Sequence, residues 1–216
     1  MTETTLFRLL AWLSPAFPTG AYAYSHGLEW AVNAGDVTDG TTARLWIADI
    51  LMHGAGRNDA ILLRHAHRAA HFLSSLLEIN DIAAALAGCR ERQAESLNLG
   101  VAFTRAVRVW GGPELPGEIV YPVAVGAAAG WHNIEEDATT VAYLQAIAAN
   151  LISAAVRLVP LGQTTGLQIL AALEPSILEV MHRSRTAALE DLGGCTFRSD
   201  LAAIRHETQY SRLFRS

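Results

Sequence analysis

The chain of 216 residues contains no lysine, and all 16 of its basic side chains are arginines. A P-loop nucleotide hydrolase uses a lysine to reach the phosphates, so the sequence excludes that class of enzyme for this chain. The net charge of −5 argues against a general nucleic-acid-binding domain, which is normally basic. Cysteine is also scarce. Cys89 and Cys195 lie far apart and form no CxxC motif, so we expect buried, reduced thiols in a cytoplasmic protein.

Charged side chains make up only 17% of the sequence, below the usual quarter, which raises the question of a membrane segment. Residues 138–156 contain no charge and are just long enough to span a bilayer. That stretch nevertheless carries Thr139, Gln145 and Asn150 and is rich in alanine, which adds little drive for insertion. We therefore predict a buried helix and no membrane association. Residues 1–5 have no basic side chain, so no secretion signal is expected.

Alanine and leucine dominate the chain, with 37 and 28 copies, and both are strong helix formers. Alternating patterns typical of strands are nearly absent. The sequence predicts an all-α fold, a single-domain bundle of about eight to ten helices over residues 1–204, followed by a polar C-terminal tail at residues 205–216. The expected helices are residues 5–13, 25 or 26–34, 38 or 39–53, 58–72, 80–97, a further one to 110, 121–131, 135–158, 168–173 and 177–192.

Three local signals set these boundaries. Thr38 or Asp39 and the pair Asn80 and Asp81 are typical helix caps. Pro175 is expected to end the short helix before it. Small residues at 124–130 and 148–155 allow close helix packing, and we predict a homodimer that uses them, although packing inside one monomer explains them equally well.

The histidines are the first candidates for chemistry. His67 and His71 are spaced to share a metal ion on one helix face, with His53 upstream. His65 points to another side of the same helix, so a solvated arginine and histidine face is the favoured interpretation, and direct histidine-based metal binding is the alternative. A helical enzyme with an apolar ligand pocket is a third hypothesis, suggested by the small residues 126–130 and by the uncharged helix, but no acid–base pair supports it.

Two segments instead have the composition of recognition surfaces. Residues 14–29 combine rigid prolines with Phe17, Tyr22 and Tyr24. Residues 205–216 carry arginines and aromatic side chains, types that are enriched at binding hot spots. A tail docked on its own domain is the alternative for the second segment.

These two segments, extended to Trp30 in the first, and residues 157–166 resemble the UreF family of urease accessory proteins. The resemblance implies an all-helical, dimeric protein that is not an enzyme and holds no cofactor of its own. It implies two accessory partners, a UreD- or UreH-type protein and a UreG-type GTPase that binds the GTP, and delivery of nickel to apo-urease. It also implies that the tail binds the UreD-type partner and that the GTPase is regulated. The partner-binding residues so implied are Phe17, Pro18, Gly20, Tyr22, Tyr24, Ser25, Gly27, Glu29, Arg157, Pro160, Gly162, Gln163, Arg205, His206, Glu207, Thr208, Gln209, Tyr210, Arg212, Leu213, Phe214 and Arg215.

Overall fold

The structure, a computed structural model, describes residues 2–216. Over these residues the chain forms ten α-helices and no strand, which confirms the predicted all-α fold. The helices are α1 Glu3–Trp12, α2 Leu28–Asn33, α3 Gly40–His53, α4 Ala55–Arg68, α5 Leu73–Ala85, α6 Arg90–Val107, α7 Tyr121–Trp131, α8 Glu136–Leu158, α9 Gln163–Ser184 and α10 Phe197–His206.

Helix α8 lies at the centre of the bundle and packs against α2, α3, α4, α7 and α9. It is long and apolar enough to cross a membrane by composition alone. Within the fold, however, Leu144, Ala148, Leu151 and Ala155 are completely or almost completely buried against other helices. The burial of α8 among its neighbours therefore accounts for the uncharged stretch.

Helix α7 packs closely on α4 because its glycines leave no side chain between the two backbones. A Cβ at Gly126 would overlap the carbonyl oxygen of Leu63, and one at Gly130 would overlap that of His67. Ala148, Ala154 and Ala155 on α8 are equally buried inside the chain. The small-residue faces at 124–130 and 148–155 are thus largely packed within one chain, which was the alternative left open, and the homodimer itself stays a prediction.

Two of the predicted helix boundaries are also wrong. Asn80 does not cap a helix but lies inside α5, where its amide donates to Glu118 O and accepts from the Val120 N–H. Pro175 does not end a helix but lies inside α9. Pro175 has no N–H, so the carbonyl of Ala171, one turn earlier, lacks its helical hydrogen-bond donor. Both residues are exposed, so water can donate to that carbonyl instead.

The end of the chain differs from the prediction as well. Helix α9 ends at Ser184, and the structure adds a helix that was not predicted, α10, whose Ala202, Ala203 and His206 are buried. Residues 205 and 206 therefore belong to a helix rather than to the tail. Cys89 is half-buried and Cys195 is exposed, and both are free thiols, so burial of both was a wrong expectation.

Candidate functional site: the folded-back C-terminal segment and the cavity beside it

The three recognition motifs meet on one side of the bundle, where residues 207–216 fold back onto α2 and α6. The carboxylate that holds the tail there is Glu29, which is buried in the first turn of α2. Gly27, just before this helix, has a φ of +74°, and a Cβ there would lie 2.6 Å from the Ala203 nitrogen. Glycine therefore allows α2 to start directly against α10 and places Glu29 under the tail.

Glu29 holds the tail by accepting backbone hydrogen bonds. The Leu213 N–H donates to Oε1 at 2.8 Å, and the Phe214 N–H donates to Oε2 at 3.0 Å. Hydrogen bonds to an ionised carboxylate are stronger than those between neutral groups, and this one is buried. Glu29 thus supplies acceptors for two backbone N–H groups that have no helix or strand partner in this irregular segment.

A second carboxylate, Glu91 of α6, holds the same segment and was not predicted. Its Oε1 accepts from Arg212 at 2.5 Å, and its Oε2 lies 2.6 Å from His206 Nδ1. The other ring nitrogen of His206 is 3.3 Å from Glu29 Oε2, and the ring has no exposed surface. His206 therefore links the two carboxylates. The sequence carried no signal for Glu91, because residue 91 lay in the middle of the helix predicted over 80–97, whereas the structure places it in the first turn of α6.

The last residues of the tail join the first motif. The Arg215 N–H donates to Ala23 O at 2.8 Å, and the Ser25 N–H and hydroxyl both donate to Ser216 O. Arg157 of the middle motif lies 4.4 Å from the centre of the buried Phe214 ring and donates to Tyr22 O at 2.9 Å. A cation over an aromatic face is attracted by the ring quadrupole, so Arg157 connects all three motifs.

The predicted site residues separate into three groups. Tyr24, Ser25, Gly27, Glu29, His206 and Phe214 are buried and hold the segment in place, with Arg157 and Arg212 at its edge. Phe17 belongs to the core instead, since its ring packs against Phe103 and Trp110. The remaining residues carry exposed or half-exposed surface, and these are Pro18, Gly20, Tyr22, Pro160, Gly162, Gln163, Arg205, Glu207, Thr208, Gln209, Tyr210, Leu213 and Arg215.

A cavity of about 230 Å³ lies beside this segment, and Tyr22, His26 and Glu95 contribute to its lining. Glu95 is buried, forms an ion pair with Arg92 and accepts from the Ser216 hydroxyl at 2.5 Å. Burial alone would raise the pKa of Glu95, but Arg92, His26 and Ser216 together hold it well below its ordinary value. The tail is therefore attached to the wall of the cavity through an ionised carboxylate.

Asp59 of α4 also lines this cavity, and sequence reasoning considered it only as a helix start. Its Oδ2 accepts a hydrogen bond from the Tyr143 hydroxyl at 2.9 Å. Burial raises the pKa of Asp59 to about 6, and the bond from Tyr143 opposes that rise. Strongly shifted carboxyl groups in cavities are frequent at functional sites.

The structure gives the predicted histidine cluster separate structural partners. His65 Nε2 lies 3.0 Å from Ala187 O, and His67 Nε2 lies 2.7 Å from Ile134 O. His71 stacks on Trp131 with 4.8 Å between ring centres. Across residues 2–216, no group of three histidine, cysteine or acidic side chains is arranged to hold a metal ion. Gly126 and Gly130 close α7 against α4, while Ala128 between them contributes to the lining of a small cavity beside residues 111–115.

The fold and this site define an all-helical protein in which three separated motifs hold a C-terminal segment against the bundle. The sequence model of the UreF family matches residues 37–174. The urease accessory protein UreF of Rhodopseudomonas palustris strain TIE-1 is 51% identical, with 99% of this chain and 93% of the relative covered. The UreF proteins of Bradyrhizobium sp. strain BTAi1 and Methylobacterium sp. strain 4-46 are 48% and 49% identical over 100% and 96% of this chain, and 95% and 87% of the relatives. The chain belongs to the UreF family.

Proposed function

We propose that the chain is a urease accessory protein that acts as a scaffold and not as an enzyme. In this proposal it bridges a UreD- or UreH-type protein and a UreG-type GTPase, so that nickel is inserted into apo-urease. Nickel is the cargo of the complex and GTP binds to the GTPase, so the chain needs no cofactor of its own. Family membership supports the role in urease maturation, and the absence of lysine supports placing the GTP chemistry in another chain.

The observation that carries the proposal is the way in which the tail is presented. Glu29, Glu91 and Arg157 fix its backbone and the buried Phe214, while the side chains of Tyr210 and Leu213 stay almost fully exposed. Large exposed side chains on a fixed backbone are suited to binding because little conformational freedom is lost in the complex. We assign Tyr210 and Leu213 to the UreD-type partner.

The exposed connection between α8 and α9 forms a second surface. Pro160, Gly162 and Gln163 are exposed there, and so is Leu167 on the first turns of α9. We assign this surface to the GTPase because Pro160, Gly162 and Gln163 belong to the family motif at residues 157–166. None of these three residues makes the contacts that hold the tail. Regulation of GTP hydrolysis would act through this surface.

The test of the tail is co-purification with the UreD-type protein, combined with activation of urease in cells that express the whole operon. The double variant Tyr210→Ala/Leu213→Ala is expected to reduce the affinity for the UreD-type partner at least tenfold, because two exposed anchors are removed. Val109→Ala is the control, since Val109 is as exposed as Leu213 but lies in the short turn after α6, outside the three motifs. Unchanged complex formation by the double variant would contradict this assignment.

The second surface has its own test, which is the rate of GTP hydrolysis by the UreG-type protein with and without the chain. Gln163→Ala combined with Leu167→Ala is expected to abolish the effect of the chain on that rate. The same variant should still co-purify with the UreD-type partner. If GTP hydrolysis responds as it does to the unchanged chain, the assignment of this surface is wrong.

We further propose a cytoplasmic homodimer, which would bring two GTPase molecules together. Its interface has to use surface other than residues 124–130 and 148–155, because most of those side chains are buried within one chain. Light scattering at micromolar concentration should give twice the mass of the 23.2 kDa chain. A monomeric mass would count against the dimer in the free state.

A further inference from the structure

The cavity beside the tail has a lining that is mostly apolar and aromatic. Trp12, Leu99 and Tyr121 contribute to one part of it, and Tyr143 and Ile147 of α8 contribute to another. Pro15 and Tyr22 lie at its edge, and Tyr22 is well exposed, so the cavity is open to solvent on that side. A concave apolar site with a few convergent polar groups is the usual form of a small-molecule binding site.

The charges in this cavity leave one carboxylate without an ion pair. Arg92 pairs with Glu95, and its charge also favours the ionised form of Asp59, so two carboxylates share one arginine. His26 lies 3.3 Å from Glu95, and burial lowers the pKa of its ring, so it adds no positive charge at neutral pH. Within residues 2–216, Asp59 receives a hydrogen bond from Tyr143 and forms no ion pair. The cavity as a whole therefore carries the negative charge of Asp59 when this group is ionised.

We propose that this cavity binds a small organic monocation, a primary ammonium or guanidinium group on a short apolar stem, with the Asp59 carboxylate as its counter-ion. The faces of Trp12, Tyr121 and Tyr143 attract a cation through their ring quadrupoles. Leu99 and Ile147 provide contact for the stem. The cation would occupy a different part of the molecule from the exposed tail residues, and its binding does not depend on the scaffold role.

The lining favours an organic cation over a metal ion. Divalent metal ions require several oxygen, nitrogen or sulfur ligands around one point, whereas the polar contact that Asp59 makes in this cavity is with the Tyr143 hydroxyl. No cluster of three metal-binding side chains occurs in the part of the chain that the structure describes. An unpaired carboxylate in a low-polarity site is costly, and an incoming cation offsets that cost.

Isothermal titration calorimetry of the full chain at pH 7.5 tests the proposal with three probes, n-butylammonium, n-butylguanidinium and the neutral n-butanol. The two cations are expected to bind at least tenfold more tightly than the alcohol. Asp59→Asn should bring the cations down to the affinity of the alcohol. Asn keeps the size of Asp and an oxygen that can accept from Tyr143, so this variant tests the charge and not the packing.

A second variant covers the case in which Asp59→Asn perturbs the fold. Ala149→Trp places a large ring in the lining without altering any charge and is expected to block both cations. A carboxyl NMR titration gives an independent readout, because a bound cation should move the titration of Asp59 to lower pH. Equal affinity of butanol and butylammonium, or a titration that does not move, would overturn the proposal.

Two further arms separate other occupants. In one outcome the chain binds Ni²⁺, the Asp59→Asn variant does not, and neither organic cation gives a heat of binding. That outcome would identify a metal site and overturn the proposal. If the organic cations do bind, their source is decided by competition. If saturating butylammonium weakens association with the UreD-type partner, the natural occupant of the cavity is a lysine or arginine side chain of that partner. If association is unchanged, the occupant is a free small molecule.

Discussion

At the scale of single residues, Asp59 is a buried carboxyl group whose ionisation lowers the stability of the folded chain. Its pKa of about 6 in the folded chain compares with an ordinary value of 3.8. The folded state therefore binds this proton more tightly than the unfolded state does. The stability associated with Asp59 is fully present below pH 4, and it is lost as the pH rises towards and through 6.

We predict that Asp59→Asn stabilises the chain at pH 8 by about 1–3 kcal/mol, because each pKa unit corresponds to about 1.4 kcal/mol. The variant removes the buried charge and keeps an acceptor for Tyr143. Urea unfolding monitored by tryptophan fluorescence at pH 8 and pH 4 measures the effect. The gain should shrink strongly at pH 4, where Asp59 is protonated. An equal gain at both pH values would show that the charge is not its cause.

Residue identity alone was a poor guide to which polar groups matter. Glu29 lies within a recognisable motif and was expected at the site. Glu91, Arg92 and Glu95 follow one another on an ordinary helix face, and nothing in their spacing marks them. Their importance arises from partners such as His206 and Ser216, which are more than 100 positions away in the chain.

At the scale of helices, the closest contact in the bundle depends on the absence of a side chain. The backbones of α4 and α7 approach so closely that only glycine fits at Gly126. The small-residue composition of α7 could be read from the sequence, and so could its bounds. The identity of its neighbour could not, because a surface of alanine and glycine packs equally well on a second copy or on another helix of the same chain.

We predict that Gly126→Ala destabilises the chain by about 3 kcal/mol, at the upper end of overpacking effects, because the new methyl group meets backbone and not a flexible side chain. Gly117→Ala is the matched control, since a Cβ added at Gly117 would meet no atom within 4 Å and the φ of this residue is not in the left-handed region. Thermal unfolding by circular dichroism compares the two. Similar melting temperatures would contradict the close approach of α4 and α7.

Helix ends separate what local sequence can and cannot predict. Asp39 was expected to cap α3 and does so, because its carboxylate accepts from the Thr42 N–H three residues ahead at 2.8 Å. Asn80 has the same local character, yet its amide binds the chain around Val120 and the helix continues past it. A capping side chain needs only its near neighbours, whereas the choice made by Asn80 depends on a segment 40 residues away.

At the scale of the whole molecule, the folded-back tail couples the two ends of the chain. Glu29 accepts from the Leu213 and Phe214 N–H groups, and Ser25 binds Ser216. The structure places the tail on its own domain, while the binding of a partner by its exposed side chains stays a proposal.

We predict that Glu29→Gln loosens the tail while leaving the bundle folded. The amide of glutamine is neutral and can accept on only one oxygen, so at least one of the two backbone hydrogen bonds is weakened, at a cost of about 1.5–3 kcal/mol. Hydrogen exchange should become at least tenfold faster at residues 213 and 214 and stay unchanged in α8. Glu190→Gln, on an exposed residue outside the site, is the control. Unchanged exchange at residues 213 and 214 would contradict the role of Glu29.

The sequence by itself determined the helical class of the chain, several helix ends and the three motifs that mark its family. The helical class and the helix ends depend on helix propensity and on contacts between near neighbours in the chain. The motifs are themselves short stretches of sequence. Only the tertiary structure decided that the three motifs meet around Phe214, that α7 is buried against α4, and that Asp59 lines a cavity and forms no ion pair within residues 2–216. Those outcomes depend on which surfaces from distant parts of the chain pack together. A lysine-free chain rich in alanine and leucine has many similar helix faces, so the packing of the whole bundle determines which of them meet.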